Sequence, residues 1–332
     1  MNLLALQTVT KRYTATDSPA VDKVSFDCEK GEIVALIGGS GSGKTTLLRI
    51  IAGLAIPDTG KVILEGKTLN SLTKFIPPEK RNCSLVFQDY ALFPNKTVLH
   101  NITFGKGATD NPDRLNELME MADIVGLGQR HPHEISGGQQ QRVALVRSLA
   151  TSPALLLLDE PLSHLDPELR ESVRNQLIML FHETRTTALF VSHDIEDAMS
   201  MADRMVVLRE GQTEQTGTPD ELYRRPASRY VARLFGKTDF IPAELLQETV
   251  HSIPGKNDLG QVVPVRPYQW RIVDKDFTGI PVFHGTVKSV TNRAPHRELL
   301  LDTGQLQLTM YLPGNHVAKC GDTLSVIFDS EN

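Results

Sequence analysis

The sequence has few cysteines and no excess of positive charge. Its three cysteines, Cys28, Cys83 and Cys320, are far apart and odd in number, and they form no Cys-x-x-Cys pair. This spacing does not suit a disulfide framework or a zinc site, and it favours reduced thiols in a cytosolic protein. The net charge of -5 gives no basic field, so nucleic acid is not an expected partner.

Long apolar runs are also absent. No uncharged apolar segment approaches the ~20 residues that cross a bilayer, and the amino terminus has no basic segment followed by an apolar block. If the protein works at a membrane, we therefore expect a partner to carry it there. At 332 residues the chain is longer than a usual single domain, which predicts two domains.

The most informative stretch is GGSGSGKTT at residues 38–46, which fits the pattern GxxxxGK[ST]. The aliphatic run Ile33–Ile37 before it predicts a buried strand, and residues 46–52 predict a helix. In this context the loop N–H groups and the helix start cradle phosphates, Lys44 reaches the outer phosphates, and the Thr45 hydroxyl binds Mg²⁺. The alternative is a Gly/Ser-rich surface turn that contains a lysine. The predicted nucleotide-binding residues here are Gly38, Gly39, Ser40, Gly41, Ser42, Gly43, Lys44, Thr45 and Thr46.

A second signal is the aliphatic run at residues 154–158, which is typical of a parallel strand buried on both faces. Asp159 and Glu160 follow it, and ligands in open α/β sheets gather at the carboxyl ends of strands. Asp159 is predicted to bind Mg²⁺, and Glu160, which points the other way, to polarise a water for in-line attack. The alternative is an acidic pair that caps the next helix.

Three further side chains each allow two interpretations. Gln88 ends a strand-like run and is either a solvated side chain or a ligand of Mg²⁺ or of the attacking water. His193 ends another such run and either caps a helix or hydrogen-bonds the terminal phosphate. Tyr13 lies upstream of the phosphate loop and either stacks on a base or packs against the sheet edge; its spacing alone favours packing.

Helical spacing marks residues 97–128, which predicts a small helical subdomain inserted in the sheet domain. It ends at residues 136–140, SGGQQ. Ser136 is a good N-cap, and Gly137 and Gly138 leave the first N–H groups uncovered, so this helix start can hold an anion. A plain N-cap followed by flexible glycines is the alternative, which the residues alone favour.

Beyond residue 236, short alternating segments punctuated by Gly and Pro predict a small antiparallel β-barrel or sandwich, related to the oligonucleotide-binding fold. These segments lack the interleaved aromatics and lysines of a nucleic-acid surface, which favours a regulatory or dimerising role. The predicted domains are residues 1–236, with a helical subdomain at about 89–150, and residues 237–332.

Taken in order, the motifs resemble those of the ATP-binding cassette (ABC) proteins. GGSGSGKTT is similar to their Walker A, FQDYALFP to the Q-loop, ISGGQQQR to the signature, ALLLLDEP to Walker B, LSHLDP to the D-loop and VSHD to the H-loop. The resemblance covers residues 3 to about 235. It implies an α/β P-loop NTPase, with a RecA-like core, a β edge subdomain and the helical insert, followed by a small all-β domain of the transport-associated (TOBE) kind.

The resemblance also implies roles for individual residues. Tyr13 matches the aromatic that stacks on adenine, Gln88 the glutamine that senses Mg²⁺ and water, Glu160 the catalytic base and His193 the switch histidine. Such proteins work as head-to-tail homodimers with two ATP molecules sandwiched between the subunits. The residues then expected near the ATP of the opposite subunit are Ser136, Gly137, Gly138, Gln139 and the D-loop residue Asp166.

Two positions depart from the family pattern. Gly39 stands where relatives often carry proline or alanine, which should loosen the loop slightly. His164 replaces the more usual alanine of the D-loop and adds a titratable group at the dimer seam. No essential position is lost, so an active cassette is expected.

A cassette followed by a small β domain resembles the ATPase subunits of bacterial solute importers. This implies a peripheral protein at the cytoplasmic face of the inner membrane, with permease subunits and a periplasmic or surface solute-binding protein as partners, and with ATP and Mg²⁺ as cofactors. The segments FIPAELL and VRPYQWRIV are most similar to the ferric-iron importers, which suggests iron(III) as the solute. Polyamine, sulfate and sugar importers are the alternative.

Two other classes of protein stay open. A soluble cassette of translation or DNA repair usually carries tandem cassettes or a long coiled coil, whereas Lys44 and Ser136 enclose one short insert without heptads. A regulatory nucleotide sensor would signal through its carboxyl-terminal module. The presence of Glu160 and His193 argues against the sensor.

Overall fold

The computed structural model describes residues 2–14, 18–163, 165–246, 262–274, 277, 281–293, 296–313 and 318–329. The D-loop residue His164 lies outside the described residues. The chain divides into two compact units, Met1–Asp220 and Glu221–Asn332.

The first unit combines two sheets with six helices in its described part. Its strands are β1 (Asn2–Lys11), β2 (Val21–Glu29), β3 (Ile33–Ile37), β4 (Thr59–Leu64), β5 (Lys67–Ser71), β6 (Lys74–Phe75), β7 (Cys83–Val86), β8 (Leu155–Asp159), β9 (Ala188–Val191), β10 (Arg204–Arg209) and β11 (Gln212–Gly217). Its helices are α1 (Lys44–Ala52), α2 (Val98–Ile102), α3 (Pro112–Met121), α4 (Gly137–Leu149), α5 (Pro167–Thr184) and α6 (Ile195–Met201).

The larger sheet is the scaffold of the site. Its strand order is β11-β10-β3-β9-β8-β7, and all neighbours except β10 and β11 are parallel. Every residue of β3 is buried, as are Leu155–Leu158 of β8, because helices cover both faces of such a sheet. The carboxyl ends of the parallel strands therefore lie along one edge, where the loops that follow them meet.

The smaller sheet is antiparallel, with the order β2-β1-β4-β5-β6. It packs into the same hydrophobic core as β3, α1 and β8 through apolar residues such as Leu4, Phe26 and Leu64. This is the β edge subdomain that the family resemblance implies.

The inserted subdomain is helical, as predicted, but its helices are short. Within residues 97–128, α2 and α3 are separated by turns, and a single turn of 3-10 helix, Val125–Leu127, follows them. The apolar residues at helical spacing in and just after α3 are all buried: Leu115, Leu118, Met119 and Ala122. α4 then returns the chain to the large sheet.

The second unit begins within α7 (Pro219–Arg224) and continues with α8 (Arg229–Leu234). Its strands are β12 (Asp239–Pro242), β13 (Val262–Val265), β14 (Trp270–Val273), β15 (Val282–Arg293), β16 (His296–Asp302), β17 (Gln307–Pro313) and β18 (Thr323–Phe328). Five of them form an antiparallel sheet in the order β14-β18-β15-β16-β17, and β12 pairs with β13. The unit is all-β beyond its two helices, as predicted; a regulatory role for it stays a prediction.

The units divide at residue 220, before the predicted boundary at residue 236. The guanidinium of Arg266 accounts for the difference, because it donates hydrogen bonds to the carbonyls of Tyr223, Ala232 and Gly236 at 3.3, 2.7 and 3.3 Å. These bonds tie the two short helices to the β unit. Among the described residues, no helix has the length and apolar character that a membrane crossing requires.

Candidate functional site

The glycine-rich loop leaves β3 and enters α1 through a backbone that only glycine can follow. Gly38, Gly41 and Gly43 have φ values of 146°, 77° and 97°. A Cβ atom on Gly38 would lie 2.1 Å from the Leu208 carbonyl oxygen, and one on Gly43 2.2 Å from that of Ala20. The loop therefore curls tightly, and α1 begins at Lys44, two residues before the predicted start.

Lys44 lies inside this loop. Its Nζ donates to the carbonyl oxygens of Gly38 and Gly39, both at 2.9 Å, and the residue is only 8% exposed. Burial lowers the pKa of Lys44 below its ordinary value, and the nearby carboxylates of Glu160 and Asp159 oppose that shift. The lysine is thus a poorly hydrated cation, which an incoming phosphate can pair with strongly.

Thr45 and Asp159 form a pair of oxygen ligands beside the lysine. The Thr45 hydroxyl donates to Asp159 Oδ1 at 3.3 Å. Burial raises the pKa of Asp159, and the hydrogen bond from Thr45 opposes this. A half-buried carboxylate and a hydroxyl next to a phosphate loop fit Mg²⁺, which takes oxygen ligands from one or two carboxylates and from phosphates.

Two side chains meet at the carboxylate of Glu160. His193 Nδ1 lies 3.2 Å from Glu160 Oε2, and Gln88 Nε2 donates to the same oxygen at 3.4 Å. Gln88, His193 and Glu160 follow β7, β9 and β8, which are neighbours in the sheet. The strand order therefore brings together residues that are far apart in the sequence. Gln88 was also predicted to bind Mg²⁺; these contacts group it with Glu160.

Glu160 has an unusual backbone conformation. Its φ of 48° is in the left-handed region, which costs a non-glycine residue of order 1 kcal/mol or more. Its N–H donates to the Val191 carbonyl at 3.1 Å, and its own carbonyl accepts from the Ser163 hydroxyl at 3.0 Å. Because the backbone turns here, Asp159 contacts Thr45 whereas Glu160 contacts His193 and Gln88. The sequence predicted that these two carboxylates point in opposite directions.

The loop and the carboxylate face a common space. An open cavity of about 490 Å³ is lined by Ala20, the loop from Ser40 to Thr46, Glu160 and His193. Positive loop groups and Lys44 line one side, and a carboxylate and an imidazole line the other. This arrangement suits a polyphosphate whose terminal group lies near Glu160.

Tyr13 extends from the polar segment that follows β1. The residue is 61% exposed, and its hydroxyl oxygen lies 3.4 Å from Thr46 Oγ1. Lys11 Nζ lies 5.7 Å from the centroid of the ring, but most of the residue is exposed, so it does not pack into the core. The ring is available to a base instead.

Comparisons with known proteins agree with this geometry. The family model described as "ABC transporter" matches residues 21–163. The spermidine/putrescine import ATP-binding protein PotA of Nitrosospira multiformis is 44% identical over 252 residues, covering 74% of this chain and 68% of the relative. The chain belongs to the ABC transporter family. Its fold is that of the ABC cassette, and cassettes of this kind are ATPases.

Other relatives and solved structures support the assignment. The sulfate/thiosulfate import ATP-binding protein CysA 2 of Chromobacterium violaceum is 47% identical over 245 residues, or 73% of this chain; the match spans 65% of the relative, just under two thirds of its length. The dimeric ATP-binding cassette MJ0796, solved with ADP and phosphate bound, matches this chain with a TM-score of 0.55 and 31% sequence identity. The match covers 65% of this chain and 98% of the MJ0796 chain. CbiO1 from Clostridium perfringens has a TM-score of 0.60 at 27% identity, with coverages of 67% and 90%.

The signature of the ABC cassette begins α4. The Ser136 hydroxyl accepts from Gln139 N at 3.3 Å, and the Gln139 side-chain oxygen accepts from Ser136 N at 2.9 Å, which makes a reciprocal capping box. Gly137 and Gly138 open the helix. Residues 136–139 are not among those that line the cavity of the phosphate loop in the described chain. Their contact with the ATP of a second subunit stays a prediction.

The D-loop residue Asp166 caps α5, because its Oδ1 accepts from Leu169 N at 2.9 Å.

Sequence reasoning missed three neighbours of the site. Ser163 accepts a hydrogen bond from Gln88 at 3.4 Å, while Arg170 and Asp194 pair at 2.6 Å behind His193. Ser163 and Asp194 lie within the D-loop and H-loop motifs, but the motifs gave these two residues no role of their own, and α5, which carries Arg170, was not predicted.

Replacing Tyr13 tests its proposed contact with the adenine base. Tyr13→Ala should weaken ATP binding by about 1–3 kcal/mol, the value of one base–aromatic contact, and leave kcat at saturating ATP unchanged. Titration of the full chain with a fluorescent ATP analogue and steady-state kinetics measure both. Tyr13→Phe is the matched control, since it keeps the ring and loses only the contact with Thr46. A fall in kcat without a loss of affinity would contradict the stacking role.

Proposed function

We propose that this chain is the ATP-hydrolysing subunit of a bacterial solute importer. The observation that carries the proposal is the shared cavity in which the Lys44 loop faces Glu160, with Gln88 and His193 on the same carboxylate. Phosphate binding and water activation then occur on opposite sides of one terminal phosphate. This is the arrangement that in-line attack needs.

In the proposed reaction the loop from Gly38 to Thr46 binds the phosphates of ATP, and Lys44 pairs with their charge. Thr45 and Asp159 would hold Mg²⁺, which supplies further neutralisation of the phosphate oxygens. Glu160 takes a proton from the attacking water as general base. His193 and Gln88 hold that carboxylate in place and orient the water.

The motor step in this proposal depends on two copies of the chain. The helix start at Ser136 of one copy binds the γ-phosphate on the Lys44 loop of the other, so phosphate charge draws the copies together. Hydrolysis removes that shared phosphate and lets the pair reopen. The strained segment after Gln88, where Tyr90 and Ala91 have φ of 61° and 44°, would pass the motion to permease subunits at the cytoplasmic face of the membrane.

The solute in this proposal is sulfate or a polyamine. The relatives described above are named for the import of sulfate/thiosulfate and of spermidine/putrescine. Iron(III), which the sequence favoured, has no support among these names, so the alternative is the better supported. A solute-binding protein outside the membrane would deliver the solute to the permease.

Stimulation of the ATPase identifies the solute. The full chain, copurified with its membrane partner and binding protein, should hydrolyse ATP several-fold faster with either sulfate and thiosulfate or spermidine and putrescine. Iron(III) should leave the rate at its basal value. Stimulation by iron(III) alone would contradict the proposed solute class, and the absence of any membrane partner would contradict the importer role itself.

A further inference from the structure

Two arginines of α5 bind the first turn of α6. Arg170 Nη1 donates to Asp194 Oδ2 at 2.6 Å, and Arg174 donates to Asp197 Oδ1 and Glu196 Oε1, both at 3.1 Å. α5, which follows the D-loop, is thus joined to α6, which follows His193. Two sets of ion pairs, one helical turn apart, make this link.

The charges at the start of α6 explain why the arginines are needed. Asp194, Glu196 and Asp197 place three carboxylates within one turn, and the Asp197 side chain is only 5% exposed. Burial, followed by the charge of Asp194, raises the pKa of Asp197, and the arginines oppose this. Without them the repulsion among the carboxylates would loosen the turn, even though the helix N-terminus favours negative charge.

The ion pair between Arg170 and Asp194 lies next to His193. Asp194 directly follows His193, and its Oδ1 caps α6 by accepting from Glu196 N at 2.8 Å while its Oδ2 is held by Arg170. On the other side of His193, the Ser192 hydroxyl donates to the Asp194 carbonyl at 2.9 Å. The backbone that carries His193 is therefore fixed from both directions.

Arg170 is also close to the reacting groups. It lines a small cavity of about 10 Å³ together with Glu160, His193 and Ser192. Arg174 does not line this cavity, although it makes the same kind of ion pair on the same two helices. Arg170 thus borders the same cavity as Glu160 and His193, whereas Arg174 reaches it only through its partner Asp197.

We propose that Arg170 is a positioning residue for ATP hydrolysis: through Asp194 it holds His193 against Glu160. Because α5 begins at the D-loop cap Asp166, the same ion pair links the D-loop to the imidazole. A shift of α5 when the second subunit closes then moves His193 relative to the Glu160 carboxylate. This inference rests on the proposed function, since it acts through His193.

The test compares kcat and KM of the full chain across matched variants. Arg170→Met should lower kcat roughly 10- to 100-fold, the cost of misplacing a catalytic group by about 1 Å. KM for ATP should stay within about twofold, because Arg170 lies outside the phosphate cavity. Arg170→Lys should restore part of the rate. Arg174→Met is the control and should lower the melting temperature with little change in kcat.

A double-mutant cycle with His193 separates positioning from general stabilisation. If Arg170 acts through His193, adding Arg170→Met to His193→Ala should change kcat by less than about twofold. Asp194→Asn keeps a capping oxygen and breaks only the ion pair, so it should reproduce the loss of kcat seen in Arg170→Met. It also replaces Arg170→Met in the test if that variant does not fold.

Three outcomes overturn the inference. Either Arg170→Met lowers kcat no more than Arg174→Met does, or the full loss persists in the His193→Ala background; either result leaves the proposed function intact. His193→Ala with an unchanged kcat instead contradicts the proposed role of His193, and the inference falls with it.

Discussion

Glu160→Gln should abolish turnover while leaving ATP binding intact. The amide cannot accept a proton from water, and removing a general base typically lowers a rate by about 100- to 10,000-fold. The variant keeps the shape of Glu160 and one oxygen for its contacts with His193 and Gln88. ATP hydrolysis measured by phosphate release, together with ATP affinity, gives both quantities.

The control for this variant is Glu120→Gln, which changes an exposed glutamate of α3 in the same way. It should hydrolyse ATP at the unmutated rate. Hydrolysis by Glu160→Gln at that same rate would remove Glu160 from its role as the base. The left-handed backbone at Glu160 would then need another explanation.

Lys44→Ala should abolish tight ATP binding. The loss of one member of a desolvated charge pair costs about 2–5 kcal/mol, or roughly 30- to 4,000-fold in affinity. The carbonyls of Gly38 and Gly39, which accept from Lys44 Nζ, also lose their donor, so the loop is expected to loosen. Isothermal titration of the full chain with Mg-ATP measures the change.

Lys61→Ala is the matched control for Lys44, because it removes an exposed lysine of β4 from the same unit. Its affinity for ATP should stay unchanged, and the melting temperatures of both variants show whether the fold is kept. An unaltered affinity in Lys44→Ala would contradict the assignment of residues 38–46 as the phosphate loop.

The buried elements could be predicted closely from the sequence. β3 has the predicted bounds Ile33–Ile37, because a continuous apolar run marks a strand with two buried faces. α5 was missed although its signals are present: Asp166 and Pro167 mark a helix start, and Val173, Leu177, Leu180 and Phe181 are buried at helical spacing. What the sequence could not show is the pairing of Arg170 and Arg174 with carboxylates of α6, because that depends on how the two helices pack.

The candidate site was predictable in its parts but not in its assembly. The phosphate loop and the acidic pair follow from local patterns with a known chemistry. The meeting of Gln88 and His193 at Glu160 depends on β7, β8 and β9 being neighbours in the sheet, and the sequence does not give that order. Tyr13 shows the same limit, since its spacing favoured packing whereas its ring is exposed beside Thr46.

The central claim is that a γ-phosphate on the Lys44 loop of one copy binds the Ser136 helix start of another. Sedimentation velocity of Glu160→Gln with Mg-ATP tests it, alone and combined with Gly137→Asp. A Cβ at Gly137 meets no atom within 4 Å, and an acidic residue in the first turn stabilises α4 while it repels a phosphate. We predict a dimer for Glu160→Gln and a monomer that still binds ATP for the double variant. A monomer in the first case, or an equally stable dimer in the second, would contradict the account.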